Sequence, residues 1–130
     1  MKLIKNGKHI TRAGNIHWFK NNLLHRENGP ALEEKNGWVS WYFEGQLHRD
    51  DGTDEPACIY KDGHKQWWSN GVLHRETGPA VIHANGKVEW YINGQNLSSD
   101  EFTHWLAKKT LNQKLHTTLA QSPIQKKNKI

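Results

Sequence analysis

Three copies of one tripeptide, Leu24-His25-Arg26, Leu47-His48-Arg49 and Leu73-His74-Arg75, carry the chain's most evident chemistry. A guanidinium offers N–H donors in a fixed fork that matches phosphate or carboxylate, and the imidazole beside it can give or take a proton. Three such pairs in a row would make a cationic ladder for phosphates or acidic side chains. The competing reading is architectural. Each arginine would pair with the acid after it (Glu27, Asp50, Glu76) or with the neighbouring copy, and each histidine would donate to a loop carbonyl. Repetition favours architecture, because a residue that holds every unit recurs in every unit, whereas a binding site occupies one place.

Other chemistries find less support. The nine histidines and one cysteine include no His-x3-His or Cys-x2-Cys spacing, and His25, His48 and His74 fall one per unit, too far apart for one ion. No metal and no other cofactor is expected. Cys58 stands where the other units carry Leu32 and Val81, so it reads as a small buried hydrophobe. The acids of residues 50–55 read as a solvated turn. No glycine-rich phosphate loop precedes a helix, and no nucleophile, base and orienting group stand out. No catalytic residue is assigned, and the chain is not expected to be an enzyme.

The tripeptides recur 23 and then 26 residues apart, and a second marker keeps step with them. Four aromatic pairs, Trp18-Phe19, Trp41-Tyr42, Trp67-Trp68 and Trp90-Tyr91, follow the same spacing and add a further 23. A period of this size marks a repeat architecture whose units bury their apolar faces against their neighbours. Asn36-Gly37, Asp62-Gly63 and Asn85-Gly86 read as two-residue type I′ hairpin turns, with Ala13-Gly14 as a weaker equivalent. The flanking strands would cover residues 8–12 with 15–20, 31–35 with 38–43, 57–61 with 64–69 and 80–84 with 87–92. Alternation puts Ile16, Val39 and Val88 on the face of the four leading tryptophans, the expected spine of the core. Phe19, Tyr42, Trp68 and Tyr91 share the other face with the polar His17, Ser40, Gln66 and Glu89.

A second turn follows each aromatic pair: Asn21-Asn22, Glu44-Gly45, Asn70-Gly71 and Asn93-Gly94. After Leu-His-Arg comes Gly-Pro-Ala, as Gly29-Pro30-Ala31 and Gly78-Pro79-Ala80, which fixes the entry into the next strand. The middle copy inserts three residues and four acids over residues 50–57, and insertions in repeats map to surface loops. The fourth copy has no His-Arg. Ser98-Ser99-Asp100-Glu101 is instead a capping box opening a helix with Phe102, Trp105 and Leu106 on one face. Such a helix suits the task of closing the array's open end. The later apolar positions are Leu111, Leu115 and Leu119, and Leu111 points about opposite to Phe102. Either the helix breaks near Thr110 or its far side meets something else, and this stripe serves self-association as well as packing back on the sheet.

Charge is unevenly placed. Residues 1–106 hold 12 Lys and Arg against 13 Asp and Glu, while residues 107–130 hold six lysines and no acid. The array is therefore nearly neutral and the basic excess belongs to the C-terminal segment. No run of 18 apolar residues could span a membrane, the opening residues lack the apolar stretch of a secretory signal, and a single cysteine suits a reducing cytoplasm.

The repeat unit, its Asn-Gly turns and the phrase Trp90-Tyr91-Ile92-Asn93-Gly94 resemble MORN-type repeats, and more closely the bacterial and phage variant carrying Leu-His-Arg-x-x-Gly-Pro-Ala. The resemblance covers about residues 14–97. It implies a scaffold of antiparallel hairpins that binds proteins or lipids, with antitoxin-like and phage relatives. The expected fold is thus an all-β repeat. About four antiparallel hairpins form one curved sheet over residues 1–97, with a helical cap at 98–121 and a basic, disordered tail at 122–130.

Functionally, the array is expected to be a non-catalytic protein-binding module, phage-encoded and masking a host defence or toxin protein in the host cytoplasm. The expected binding residues are His25, Arg26, His48, Arg49, His74, Arg75, Tyr42, Trp68, Tyr91, Asp51 and Asp54. The alternative is a nucleic-acid or nucleotide binder using the His-Arg row and Lys126, Lys127 and Lys129. Exposed aromatics can stack bases, but a near-neutral array lacks the phosphate-neutralising charge that such binding requires. Tyr and Trp also anchor protein interfaces, and the interface reading is preferred.

Overall fold

The computed structural model describes residues 3–120. The chain is mostly antiparallel β-sheet with one C-terminal helix, and divides after Leu97 into two compact units. The first unit holds fourteen short strands. In chain order these are β1 (Gly7–Ile10), β2 (Ile16–Lys20), β3 (Leu23–Leu24), β4 (Leu32–Glu33), β5 (Val39–Ser40), β6 (Tyr42–Phe43) and β7 (Gln46–Leu47). They continue as β8 (Cys58–Ile59), β9 (Lys65–Gln66), β10 (Trp68–Ser69), β11 (Val72–Leu73), β12 (Val81–Ile82), β13 (Val88–Ile92) and β14 (Gln95–Leu97). A ten-stranded sheet runs β1-β2-β4-β5-β8-β9-β12-β13-β14, with β3 paired to β2. The pairs β6–β7 and β10–β11 stand outside that path.

Two kinds of hairpin alternate, and the turn chemistry separates them. The turns at Gly14, Gly37, Gly63 and Gly86 enclose three residues, because Thr11, Glu34, Tyr60 and His83 donate their amides to the carbonyls of Asn15, Trp38, His64 and Lys87. Only the glycine has positive φ, 90–99° across the four. Asn36, Asp62 and Asn85 use their side-chain oxygens to accept the amide two residues on, at 2.9–3.0 Å. These turns are therefore not type I′, contrary to the reading of their dipeptides. The two-residue turns are the second set, where Asn21-Asn22, Glu44-Gly45, Asn70-Gly71 and Asn93-Gly94 all have both central residues at positive φ, as type I′ demands. Each joins a short hairpin: β2–β3, β6–β7, β10–β11 and β13–β14.

Strands expected to run through the aromatic pairs are interrupted in the middle units. Trp41 donates its amide to the Ala57 carbonyl in the main sheet, while its carbonyl accepts from His48 in the second hairpin. Trp67 repeats this with Ala80 and His74. The tryptophan is the residue at which pairing passes from one hairpin to the other.

The core also departs from the expected faces. Ser40 is fully buried, together with Leu32, Cys58 and Val81. They lie on the face of His17, Gln66 and Glu89, which alternation marked as polar. The register explains it: Ser40 stands between Leu32 and Cys58 on adjoining strands, and these apolar neighbours exclude water. Its hydroxyl meets the Cys58 sulfur at 3.5 Å. On the other face Trp67 is buried, and Trp18, Trp41 and Trp90 are half-buried. Ala31, Ala57 and Ala80 are 0–1% exposed.

The second unit is the helix α1 (Ser99–Ala120). Its capping box is formed, with Ser98 Oγ accepting from the Glu101 amide at 3.1 Å and Glu101 accepting from the Ser98 amide at 2.8 Å. The helix continues through Thr110 without a break, and Leu111, Leu115 and Leu119 are exposed.

Glu44 is the one residue other than asparagine or glycine among the two-residue turns, at φ 49°. Left-handed backbone costs an L-residue about 1–2 kcal/mol, less for asparagine. Glu44→Asn is expected to raise stability by about 0.5–1 kcal/mol, seen as a higher urea midpoint with unchanged slope. An unchanged or lower midpoint would contradict this account of the turn.

Candidate functional site

The leucine carbonyl, the histidine Nδ1 and the arginine amide and Nη1 of each Leu-His-Arg are engaged inside the array. Leu24, Leu47 and Leu73 accept, through their carbonyls, the amides of Gly45, Gly71 and Gly94 in the following unit, at 2.8–2.9 Å. The histidines act as acceptors: His25, His48 and His74 take through Nδ1 the amides of Glu44, Asn70 and Asn93, each at 2.9 Å. Those are the first positive-φ residues of the next two-residue turns. Arg26, Arg49 and Arg75 donate their amides to Tyr42, Trp68 and Tyr91, also in the next unit. Each tripeptide therefore grips the hairpin that follows it.

The arginine heads turn inward too. Their guanidinium carbons lie 4.2, 3.9 and 3.7 Å from the ring centroids of Trp18, Trp41 and Trp67, within the range of cation–π attraction. Each Nη1 donates to a proline carbonyl: Pro30 at 3.2 Å, Pro56 at 2.9 Å and Pro79 at 3.0 Å. This explains Gly-Pro-Ala. A β-carbon at Gly29 would come within 2.9 Å of the Arg26 guanidinium carbon.

The ion pairs are not those expected from adjacency. Arg26 faces Glu33 at 3.9 Å, Arg49 binds Asp51 at 2.8 Å, and Arg75 binds Asp54 at 2.9 Å. The acid after the arginine lies instead near the histidine, with Glu27 3.6 Å from His25 Nε2 and Glu76 2.9 Å from His74 Nε2. The histidines do not donate to loop carbonyls as expected, because Nδ1 faces an amide. The inserted loop ties two units together, since Asp54 accepts from both Arg75 and Thr77 and its carbonyl accepts from Trp67 Nε1. Hydrogen bonds from Thr53 and then Arg49 hold the Asp51 carboxyl down at about 2. Arg75 holds Asp54 below the usual range.

One grip uses different residues, which sequence reading missed. The first two-residue turn has no Leu-His-Arg before it. Asn6 Oδ1 accepts from the Asn21 amide at 2.8 Å and the Lys5 carbonyl accepts from Asn22 at 3.0 Å. Lys5 and Asn6 thus do the work of the leucine and histidine. Asn Oδ1 and His Nδ1 are the same number of bonds from Cα, so either presents an acceptor at that place.

Two adjoining cavities open beside the inserted loop. The first, about 410 Å³, is lined by Trp41 and Phe43 with Arg26, Glu27, Asp50 and Asp51 among others. The second, about 330 Å³, is lined by Trp67 and Trp68 with Asp54, Glu55, Arg75 and Glu76 among others. His48, Arg49 and Asp50 belong to both. Of the expected binding residues, Arg26, His48, Arg49, His74, Arg75, Trp68, Asp51 and Asp54 line them. His25 is buried. Tyr42 and Tyr91 line neither cavity. Burial raises the Tyr42 phenol, and Tyr91 points its hydroxyl at Glu89, 3.5 Å away. Phe43, 42% exposed, was missed, although the other units carry Lys20, Ser69 and Ile92 at its position. Lys126, Lys127 and Lys129 lie outside the described residues.

Other chemistry-bearing groups are buried or already paired. Burial raises the Cys58 thiol above its usual range, which lowers its nucleophilicity at neutral pH. His83 holds the Glu89 carboxyl low through a hydrogen bond. Among the described residues no three His, Cys, Asp or Glu side chains could share a metal ion, and no helix is long and apolar enough to cross a membrane. No family model, curated protein or solved structure matches this chain.

Two outcomes follow from these contacts. His25→Ala leaves the Glu44 amide without its acceptor and is expected to cost about 1–3 kcal/mol in urea unfolding, whereas His25→Asn recovers at least half; equal losses would refute the acceptor role. The depressed Asp51 carboxyl stabilises the fold above pH 4 and loses that contribution as pH falls toward 2. Asp51→Asn should flatten the fall in thermal midpoint across that window, while costing less than about 1 kcal/mol at pH 7 because the pair is partly exposed.

Proposed function

We propose that residues 1–97 are a MORN-like hairpin-repeat scaffold working as a non-catalytic protein-binding module. The observation that carries this reading is the pair of adjoining cavities with aromatic walls at the one place where the repeat is interrupted. The recurring histidines and arginines are occupied with holding neighbouring units, so a ligand would depend on the aromatic walls and the carboxylates of the inserted loop. Around the loop, half-exposed aromatics and exposed carboxylates lie together, with Phe43 as an exposed apolar anchor. Aromatic anchors beside a polar rim are the usual composition of protein interfaces.

Several features speak against catalysis. The only thiol is buried and held protonated, and both cavities lie among groups already tied into structural bonds. Masking a surface of a host or toxin protein asks nothing more of this chain than a rigid, complementary face. The arginines of the His-Arg row are stacked, hydrogen-bonded and paired with acids, which favours the protein-binding reading over an anion-binding one.

Immobilised full-length chain is expected to retain a protein partner in stoichiometric amount from bacterial lysate. Phe43→Ser should reduce that retention at least ten-fold, as truncating a hot-spot aromatic does; its ring centroid lies 4.5 Å from that of His25, so the thermal midpoint falls modestly while the fold is kept. Absence of any stoichiometric partner, or retention indifferent to Phe43→Ser, would count against the module and against this face.

A further inference from the structure

The two cavities differ from the rest of the array in the sign of the charge they present. Their linings include six carboxylates, from Glu27, Asp50, Asp51, Asp54, Glu55 and Glu76, and three guanidinium groups, from Arg26, Arg49 and Arg75. The cations face inward, with side chains 29%, 14% and 16% exposed. The acids face outward: Glu27 is 68% exposed and Asp54 53%. Asp51 and Asp54 neutralise Arg49 and Arg75, but among the described residues no ion pair engages Asp50 or Glu55. Both of these are exposed, and Asp50 lies between the cavities. The row that reads as cationic in the sequence is thus electronegative where a partner would meet it.

Resting on the protein-binding reading above, we infer that this face docks a basic polypeptide segment, placing an arginine or lysine side chain in each cavity. The aliphatic stem of such a side chain suits the exposed Phe43 ring, while its head reaches Glu27 and Asp50. In the neighbouring cavity Trp68 offers the apolar wall, and Asp50, Glu55 and Glu76 the carboxylates. The array already holds guanidinium this way internally, on a tryptophan face with a carboxylate beside it. Successive units advance by two strands, about 10 Å. A polyproline II segment advances about 9.3 Å in three residues, so basic residues three apart would enter both cavities from one side of the segment.

The test is fluorescence anisotropy with full-length protein and a labelled (Arg-Pro-Pro)4 peptide, compared with its (Glu-Pro-Pro)4 counterpart. The arginine peptide is expected to bind with micromolar affinity, the glutamate peptide at least ten-fold more weakly. Asp50→Asn combined with Glu55→Gln should weaken the arginine peptide five-fold or more without moving the thermal midpoint. Glu27→Gln alone should do so by about half that factor. Equal binding of both peptides, or affinity unchanged by these variants, overturns the inference. A protein partner that the Asp50→Asn, Glu55→Gln variant retains in full would leave the binding module standing and remove only its cationic ligand. Loss of both peptide binding and partner capture in the native protein would remove both.

Discussion

The hydrogen bond from a turn amide to the Nδ1 of a histidine one unit earlier is the contact on which the array's order depends. A two-residue turn with both residues at positive φ leaves its first amide pointing out of the hairpin, and a single hairpin of two residues per strand cannot stand alone. The preceding histidine supplies the acceptor, the preceding leucine carbonyl takes the second amide, and the preceding arginine amide bonds a carbonyl of the hairpin's first strand. A unit therefore becomes stable only once its predecessor is in place. That is the nearest-neighbour logic of repeat proteins, here resolved into named atoms.

The arginine completes the unit from the other side. Its planar cation lies flat on a tryptophan, and its N–H groups satisfy the carbonyl of a proline that has no amide of its own to offer the sheet. Lysine could not reproduce this, because its compact ammonium lacks the planar fork. Tryptophan, Leu-His-Arg and Pro-Ala are three parts of one joint, which explains why they travel together along the chain. The N-terminal end shows how little of that identity the joint needs. Lys5 and Asn6 share no residue type with Leu-His, yet supply both acceptors.

Much of the scaffold was legible because the same solution is written several times. Hairpin positions, the second set of turns, the capping box and the architectural leaning of Leu-His-Arg all follow from period and turn chemistry. The turn types did not, because Asn-Gly serves a three-residue turn with glycine at its end as well as a type I′ turn. Which one forms is set by the pairing of Glu34 with Trp38, not by the dipeptide. The buried face was misassigned because Ser40 reads as polar alone, and its apolar partners lie eight and eighteen residues away. The sign of the cavities was illegible for a similar reason. Arg75 stands next to Glu76 in the chain but meets Asp54, 21 residues earlier.

Recognition by a repeat array faces a particular difficulty: identical units offer identical surfaces, and a partner bound to one can slide to the next. The middle copy removes that degeneracy. Its three extra residues bring Asp51, Asp54 and Glu55 above the joint, replace the glycine before Pro56 with Glu55, and cross-link the second unit to the third through Asp54, Arg75 and Thr77. Phe43 adds an aromatic at a position where the other units have none. The loop is therefore a brace, and under the proposed binding role a landmark too, since the ion pairs that rigidify it leave Asp50 and Glu55 without an ion pair among the described residues. A tolerated insertion would be expected to hang free of the units it separates; this one is bonded into both.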